Sequence, residues 1–433
     1  MKLEALKPPL PKPQTRIKTS KFIPLIALTC LLTIIPIYYP FSHKKLLLAL
    51  PIGNENTIKS TSPLLPPPKP NTPTRRRSDS SAPPECDLFD GEWIPNPDGP
   101  YYTNETCDAI QEHQNCMKFG RPDTGYLKWR WKPDGCELPL FHPNNFLEML
   151  RGKSLLFVGD SVARNHMQSL ICLLSKLLYR QVAQPIDVSE ATAENRLYRY
   201  TDYNLSISII SSPYLIRTHK TDPNDFTAPY HLFLDEFDPT WTAALGEFDY
   251  LIISAAHWFF RPSYFHLNGA LAGCLYCSDP NVTRLPSSFA YRRALRTALR
   301  ALDSFRGVAF LRTLAPSHFE GGPWDRGGDC ARRRPFRRNE TALEEFAAEV
   351  YRIQLEELER GKGKGNVRLF DATKVMVVRA DGHPSKYGRW AAANQTVPND
   401  CVHWCLPGPI DAWNDFLQEL LRRELEGYYT SSL

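Results

Sequence analysis

The chain has 433 residues, 42% of them hydrophobic and 23% charged, with a formal net charge of +5; that length suffices for two or three average domains. The charge is unevenly placed. Residues 1–84 hold thirteen Lys and Arg against three Asp and Glu, a net of +10, so the remainder carries −5. The basic excess therefore gives no support to nucleic-acid binding by the folded part, and no nucleic-acid partner is expected.

Residues 1–21 read as a cytoplasmic tail, with Lys2, Lys7, Lys12, Arg16, Lys18 and Lys21 against the single acid Glu4. An uncharged apolar stretch follows from Phe22 to Tyr39 and ends in Tyr38-Tyr39, which suit a membrane interface. As a helix at 1.5 Å per residue it spans roughly 27 Å, about a bilayer core. Lys44 and Lys45 are fewer than the basic residues before the stretch, which keeps the N-terminus on the cytoplasmic side. A cleaved signal peptide would have a shorter apolar core and end at a small-residue cleavage site. No clear site of that kind follows, so residues 22–39 are expected to be an uncleaved signal anchor. Residues 40–84 read as a stem: from Pro51 to Pro84 there is no aromatic residue, and proline keeps such a segment extended.

Ten of the eleven cysteines, all but Cys30, lie beyond the apolar stretch. An even number in an oxidising lumen points to disulfides. Sequons at Asn104, Asn204, Asn281, Asn339 and Asn394 agree with lumenal exposure and glycosylation. Residues 85–150 read as a loop-like lobe, with Cys86, Cys107, Cys116 and Cys136 among Trp93, Tyr101, Trp129 and Trp131. Such a lobe needs staples more than a core. Zinc is the rival for four cysteines, but the lobe has no C-x-x-C pair, so no metal is expected.

In residues 151–433, apolar β-type runs (154–158, 205–211, 250–254, 308–311 and 367–370) alternate with amphipathic segments near 161–179, 288–304, 340–360 and 410–427. That alternation implies a three-layer α/β/α domain with a mainly parallel sheet. Its site should lie at the carboxyl ends of the strands. Gly159-Asp160-Ser161 follows one such end, and His257-Trp258 another. Cys274 and Cys277 form a C-x-x-C in what reads as a long loop, where a local structural bridge is expected rather than a redox pair.

Ser161 at a strand-to-helix turn could expose its hydroxyl beside helix N–H groups. Asp400 and His403, three residues apart, supply an orienting carboxylate and an imidazole, which makes Ser161, His403 and Asp400 a workable nucleophile, base and orienter. His383 in Asp381-Gly382-His383-Pro384 competes for the base, but there the Asp–His spacing is two.

Flanking residues sharpen this. Gly159-Asp160-Ser161 with Arg164-Asn165, Asp400-Cys401-Val402-His403-Trp404-Cys405-Leu406-Pro407-Gly408, Cys86-Asp87-Leu88-Phe89, Trp131-Lys132-Pro133, His318-Phe319-Glu320 and Asp381-Gly382-His383-Pro384 resemble the plant trichome-birefringence-like family of polysaccharide O-acetyltransferases over residues 85–425. The resemblance implies a GDSL/SGNH-esterase-like fold, a single-pass type II Golgi membrane protein with a lumenal catalytic domain, and an acetyl-Ser161 intermediate. Arg164, Asn165, His257, Trp258, Arg261 and Trp404 become oxyanion or substrate candidates, with Phe259 and Tyr387 as further sugar contacts. Members often read Gly-His-Trp where this chain has Ala256-His257-Trp258, which leaves the backbone contribution of position 256 open. The implied disulfides are Cys86–Cys136, Cys107–Cys172, Cys116–Cys405, Cys330–Cys401 and Cys274–Cys277. The run 258–262 with the C-x-x-C is most similar to xyloglucan- and mannan-acetylating members. No bound cofactor is expected; an acetyl donor, acetyl-CoA or an acetylated carrier, is required, and the partners implied are a polysaccharide acceptor and Golgi acetyl-supply proteins. The rival readings are a polysaccharide acetyl esterase and a non-catalytic wall-polysaccharide binder.

Overall fold

The computed structural model describes residues 86–175, 195–225, 227–391 and 396–427; the expected tail, membrane anchor and stem, Cys30 and Asn394 lie outside the described residues. Among the described residues no helix is long and apolar enough to cross a membrane.

The lobe differs from its reading as loops. Strands β1 (Gly91–Pro95) and β2 (Trp129–Pro133) pair antiparallel, with Trp93 opposite Trp131. Both indoles are buried, and with Leu88, Phe89 and Tyr102 they enter the same apolar core as Trp413 and Phe416 of the C-terminal helix Ala412–Leu425. The lobe therefore has a core as well as staples, because its aromatic residues borrow the larger domain's apolar face. The disulfides Cys86–Cys136, Cys107–Cys172 and Cys116–Cys405 close on it.

The main sheet is of the α/β class. Strands β3 (Ser154–Gly159), β4 (Arg196–Tyr200), β5 (Leu205–Ser211), β8 (Tyr250–Ser254), β11 (Val308–Arg312) and β12 (Val367–Phe370) lie in the order β12-β11-β8-β3-β5-β4. Edge strand β4 is antiparallel and the other neighbours are parallel. The runs are continuously apolar because both faces are covered. Leu155, Phe157, Ile252 and Phe310 face the core of helices Ser161–Ser175 and Ala412–Leu425; Leu156, Val158, Leu251, Ile253 and Leu311 face helices Ser287–Ala301 and Glu345–Arg360. Each such fully buried side chain contributes about 2 kcal/mol of transfer free energy.

A second sheet was not legible in the sequence. Strands β6 (Ile216–Lys220), β7 (Tyr230–Phe237), β9 (Ser263–Leu267) and β10 (Ala270–Leu275) run in the order β10-β9-β7-β6. Leu232, Leu234 and Phe265 pack on the second core, while His231, Phe233, Tyr264 and His266 alternate with them on the half-buried face. Rings in place of plainly polar residues, and register shifts in two of the three pairings, hide the period-two signal. Cys274 consequently sits in β10 rather than in a long loop, and its bridge to Cys277 closes the turn that leaves the strand. No helix opens at that turn, so the redox arrangement is absent there.

Candidate active site

The carboxyl ends of β3 and β8 lie side by side, Gly159 opposite Ser254. Gly159 has φ +155°, and a Cβ there would stand 1.7 Å from the Ser254 carbonyl oxygen. Only glycine lets the chain turn so closely against β8. Asp160 locks the turn: its Oδ1 accepts from the Val162 N–H (2.9 Å) and its Oδ2 from the Ala256 N–H (3.3 Å). The backbone of position 256 thus fastens the nucleophile turn to the loop after β8. Ser161 is left half-buried at the start of helix Ser161–Ser175.

The loop carrying Asp400 and His403 meets that turn. His403 Nε2 lies 2.7 Å from Ser161 Oγ, and Nδ1 lies 2.8 Å from Asp400 Oδ2. The other carboxylate oxygen, Oδ1, accepts the Val402 and His403 N–H groups at 3.1 and 3.0 Å. This fixes Nδ1 as the protonated nitrogen and leaves the Nε2 lone pair for the Ser161 hydroxyl. Burial alone would push the His403 imidazole down, but the charge and hydrogen bond of Asp400, with Asp160 adding, leave its pKa raised. Burial would likewise raise Asp400, yet His403 and the two N–H groups hold its carboxyl well below the carboxylate range. The pair is therefore a charged-ready orienter and a base more basic than free imidazole.

Several elements hold the loop. Cys401 is bridged to Cys330 and Cys405 to Cys116. Ser385 and Asp400 exchange backbone hydrogen bonds of 2.9 and 3.0 Å. Arg121, from the lobe, donates to the carbonyls of His383 (2.8 Å) and Asp381 (2.6 Å). Asn165 is fully buried and brackets the Trp404 backbone, its Oδ1 accepting the N–H at 2.8 Å and its Nδ2 donating to the carbonyl at 3.3 Å.

Those contacts correct two sequence candidates. Asn165, fully buried, commits its oxygen and one N–H to the Trp404 backbone and so positions the loop, and Trp404 is itself fully buried, stacked on His383 at 4.1 Å, so it offers no face to sugar. Phe259 is buried against Tyr214 and Tyr291 and is likewise a core residue. Arg164 fits better: its Nε is buried without a hydrogen-bond partner, and its charge is felt by both His403 and His113. His257 Nε2 is also buried without a partner, and burial pushes its pKa down, so the ring is neutral. Trp258 is half-buried with Arg261 3.9 Å above its ring. Tyr387 is half-buried and packs beside Cys116 and Cys405. Among the sequon residues, Asn204, Asn281 and Asn339 are exposed and Asn104 half-buried.

His383 is not beside Ser161; it stands behind His403. Its Nδ1 lies 2.7 Å from the His403 carbonyl, its Nε2 2.7 Å from His318 Nδ1, and His318 Nε2 lies 2.9 Å from the Val377 carbonyl. Burial pushes His383 well down and His318 to about 4, so both rings are neutral near neutrality. Two neutral rings carry two ring hydrogens for three contacts. The tautomer that serves His403 puts one hydrogen on His383 Nδ1; the other, on His318, serves either His383 from Nδ1 or the Val377 carbonyl from Nε2. The motif Asp381-Gly382-His383-Pro384 and His318 were visible in the sequence; that they form a chain behind the imidazole was not.

Residues 138–420 match a family described as a GDSL/SGNH-like acyl-esterase family found in Pmr5 and Cas1p, and residues 84–137 match the PMR5 N-terminal domain. The chain is 53% identical over 355 residues to protein trichome birefringence-like 19 of Arabidopsis thaliana, covering 78% of this chain and 81% of that one. It is 42% identical over 352 residues to xyloglucan O-acetyltransferase 2 of Arabidopsis thaliana (78% and 83% covered) and 40% over 348 residues to xyloglucan O-acetyltransferase 3 of Populus trichocarpa (78% and 86% covered).

Proposed function

We propose that this chain, which belongs to the trichome birefringence-like family of polysaccharide O-acetyltransferases, moves an acetyl group to hydroxyls of a hemicellulose through an acetyl-Ser161 intermediate, with xyloglucan- or mannan-type polymers as the favoured acceptors. The observation that carries the mechanism is the continuous relay from Ser161 Oγ through the His403 ring to Asp400, with contacts of 2.7 and 2.8 Å.

His403 Nε2 takes the Ser161 proton as Oγ attacks the acetyl carbonyl carbon. The tetrahedral oxyanion needs preorganised donors. The Ser161 N–H, in a first helical turn that has no internal partner for it, is one, and Arg164 or His257 another. Collapse of the intermediate expels the donor's leaving group, which takes the proton from His403. A sugar hydroxyl then gives its proton to the same Nε2 and attacks the acetyl-serine; collapse releases the acetylated polymer and returns the proton to Oγ. Esterase and transferase share every step but the last acceptor. Five disulfides, exposed sequons and the stretch Phe22–Tyr39 support a lumenal, type II Golgi setting. The acetyl donor, acetyl-CoA or an acetylated carrier, is also part of the proposal, as are Golgi acetyl-supply partners.

The full-length protein, incubated with acetyl-CoA or p-nitrophenyl acetate and deacetylated xyloglucan or mannan, should leave acetyl on the polymer. Ser161→Ala should lower that transfer by about a millionfold in kcat, in practice to background. Release of acetate from acetylated polymer with no acetyl gained would replace this reading by the esterase. Unchanged acetylation by Ser161→Ala would leave a binder.

Two further outcomes follow from the relay. His403 must be neutral to accept a proton, and its pKa is raised above 6.5, so the transfer rate should climb with pH through a value above 6.5. An acid limb below 6.5 would contradict the Asp400 contribution. His383→Asn keeps an N–H donor where Nδ1 stood and should retain more of kcat than His383→Gln, which places its amide at Nε2. Equal losses in the two variants would mean that His383 supports the loop by packing alone.

A further inference from the structure

Where the lobe meets the loop that precedes Asp400, two rings that the mechanism does not use stand, one against His403 and the other on the lobe's Phe119. His113, from the lobe, is exposed, and its ring meets that of His403 edge to face, centroids 5.4 Å apart at 79°. Trp390 is 66% exposed, while Trp241, Trp404 and Trp413 are fully buried. A solvated indole forgoes the burial that usually holds this residue inside. It is nonetheless seated: its ring meets the buried Phe119 at 5.4 Å and 68°, and a Cβ on Gly120 would lie only 3.7 Å from it.

The two rings are tied to one another and to the base. Gly388 lies so close to the lobe that a Cβ there would stand 2.9 Å from the His113 carbonyl oxygen. Lobe residues 113–120 and loop residues 388–390 thus run against each other at two points, His113 with Gly388 and Phe119-Gly120 with Trp390. The same loop is joined to Asp400 through Ser385, and the same lobe segment to Cys405 through Cys116. His113 is exposed along part of its surface, but desolvation of the ring where it packs against the His403 loop, and then the neighbouring His403 charge, push it down to about 4. It therefore stays neutral while His403 collects protons. Gln114 Nε2 is 3.3 Å from His113 Nε2. That contact makes Nε2 the acceptor and leaves the ring hydrogen on Nδ1 as a donor.

We propose that His113 and Trp390 form an acceptor subsite, in which the open face of Trp390 receives the apolar face of a pyranose ring in a neutral polysaccharide and His113 hydrogen-bonds a hydroxyl of the sugar presented to His403. An exposed ring with its edge buried suits a sugar, which is apolar on its ring faces and polar at its rim. A neutral imidazole positions a hydroxyl without competing for its proton. The subsite rests on the acetyl-transfer reading and adds to it that the lobe takes part in acceptor recognition.

The test measures binding of deacetylated xyloglucan, galactomannan and xylan oligosaccharides to the full-length Ser161→Ala protein, in which no turnover intervenes. Trp390→Ala should weaken binding of the preferred oligosaccharide about tenfold, as loss of an aromatic anchor does. Trp390→Phe should keep most of it, and Tyr276→Ala, an equally solvated ring in the turn after β10 (68% exposed), should change nothing. With Ser161 intact, His113→Phe keeps a ring against His403 but no donor. It should lower kcat on the polymer about tenfold with melting temperature unchanged, and His113→Asn should restore part of it. Binding that is unaltered by Trp390→Ala, or turnover unaltered by His113→Phe, overturns the subsite while leaving the acetyl-transfer reading in place. A protein that neither binds nor acetylates any of the three polymers overturns both.

Discussion

Asp400→Asn should fold as the parent does yet transfer acetyl about ten-thousandfold more slowly. The amide can keep its oxygen where Oδ1 now accepts the Val402 and His403 N–H groups, so the loop retains its shape. Its NH2 then faces His403 Nδ1 in place of the Oδ2 that sits 2.8 Å away. A donor at that point forces Nδ1 to accept and moves the ring hydrogen to Nε2, where it confronts the Ser161 hydroxyl as an N–H instead of a lone pair. The variant also removes the charge that raises the His403 pKa, so any residual activity should show its acid limb at lower pH. Initial rates of polymer acetylation across pH, beside a thermal melt, read both effects. A loss smaller than about tenfold would mean that His403 is oriented by its disulfide-pinned backbone rather than by Asp400.

Gly159→Ala should be the most damaging single methyl added to the domain. Its Cβ would fall 1.7 Å from the Ser254 carbonyl oxygen and 2.8 Å from the carbonyl carbon, at a φ of +155°. The obstacle is main chain in the centre of the sheet, so relief requires parting β3 from β8 and breaking the register Gly159–Ser254. The cost expected is above about 4 kcal/mol, combining backbone strain with overpacking. Chemical denaturation or secreted yield measures it. Gly246→Ala, with nothing within 4 Å of its added Cβ, is the matched control. Gly159→Ala within about 1 kcal/mol of the parent would show that the turn can relax, and that Ser161 is not held there by the tight crossing.

Much of this architecture was written locally. Five apolar runs became β3, β5, β8, β11 and β12, because a strand covered on both faces must be apolar throughout and so announces itself. Four amphipathic segments became helices for the corresponding reason of one-sided burial. The half-buried β6, β7, β9 and β10 carry no such signal, since rings such as His231, Tyr264 and His266 occupy the positions where polar residues would mark the alternation. The lobe's pair β1–β2 is equally silent in the sequence, because its core lies in another part of the chain and short-range pattern does not report a long-range partner.

The same division runs through the site. The sequence by itself determined the residue types and their local geometry: a serine at a strand-to-helix turn, an aspartate three residues before a histidine, and cysteines in an even number beyond an apolar stretch. Only the tertiary structure decided which groups meet across 242 residues. It put His403 at Ser161 and His383 behind it, turned Asn165 and Trp404 from candidate ligands into supports, and brought His113 of the lobe against the imidazole. The physical reason is that a side chain's chemistry is intrinsic, whereas its exposure, partner and pKa depend on what the rest of the chain packs around it.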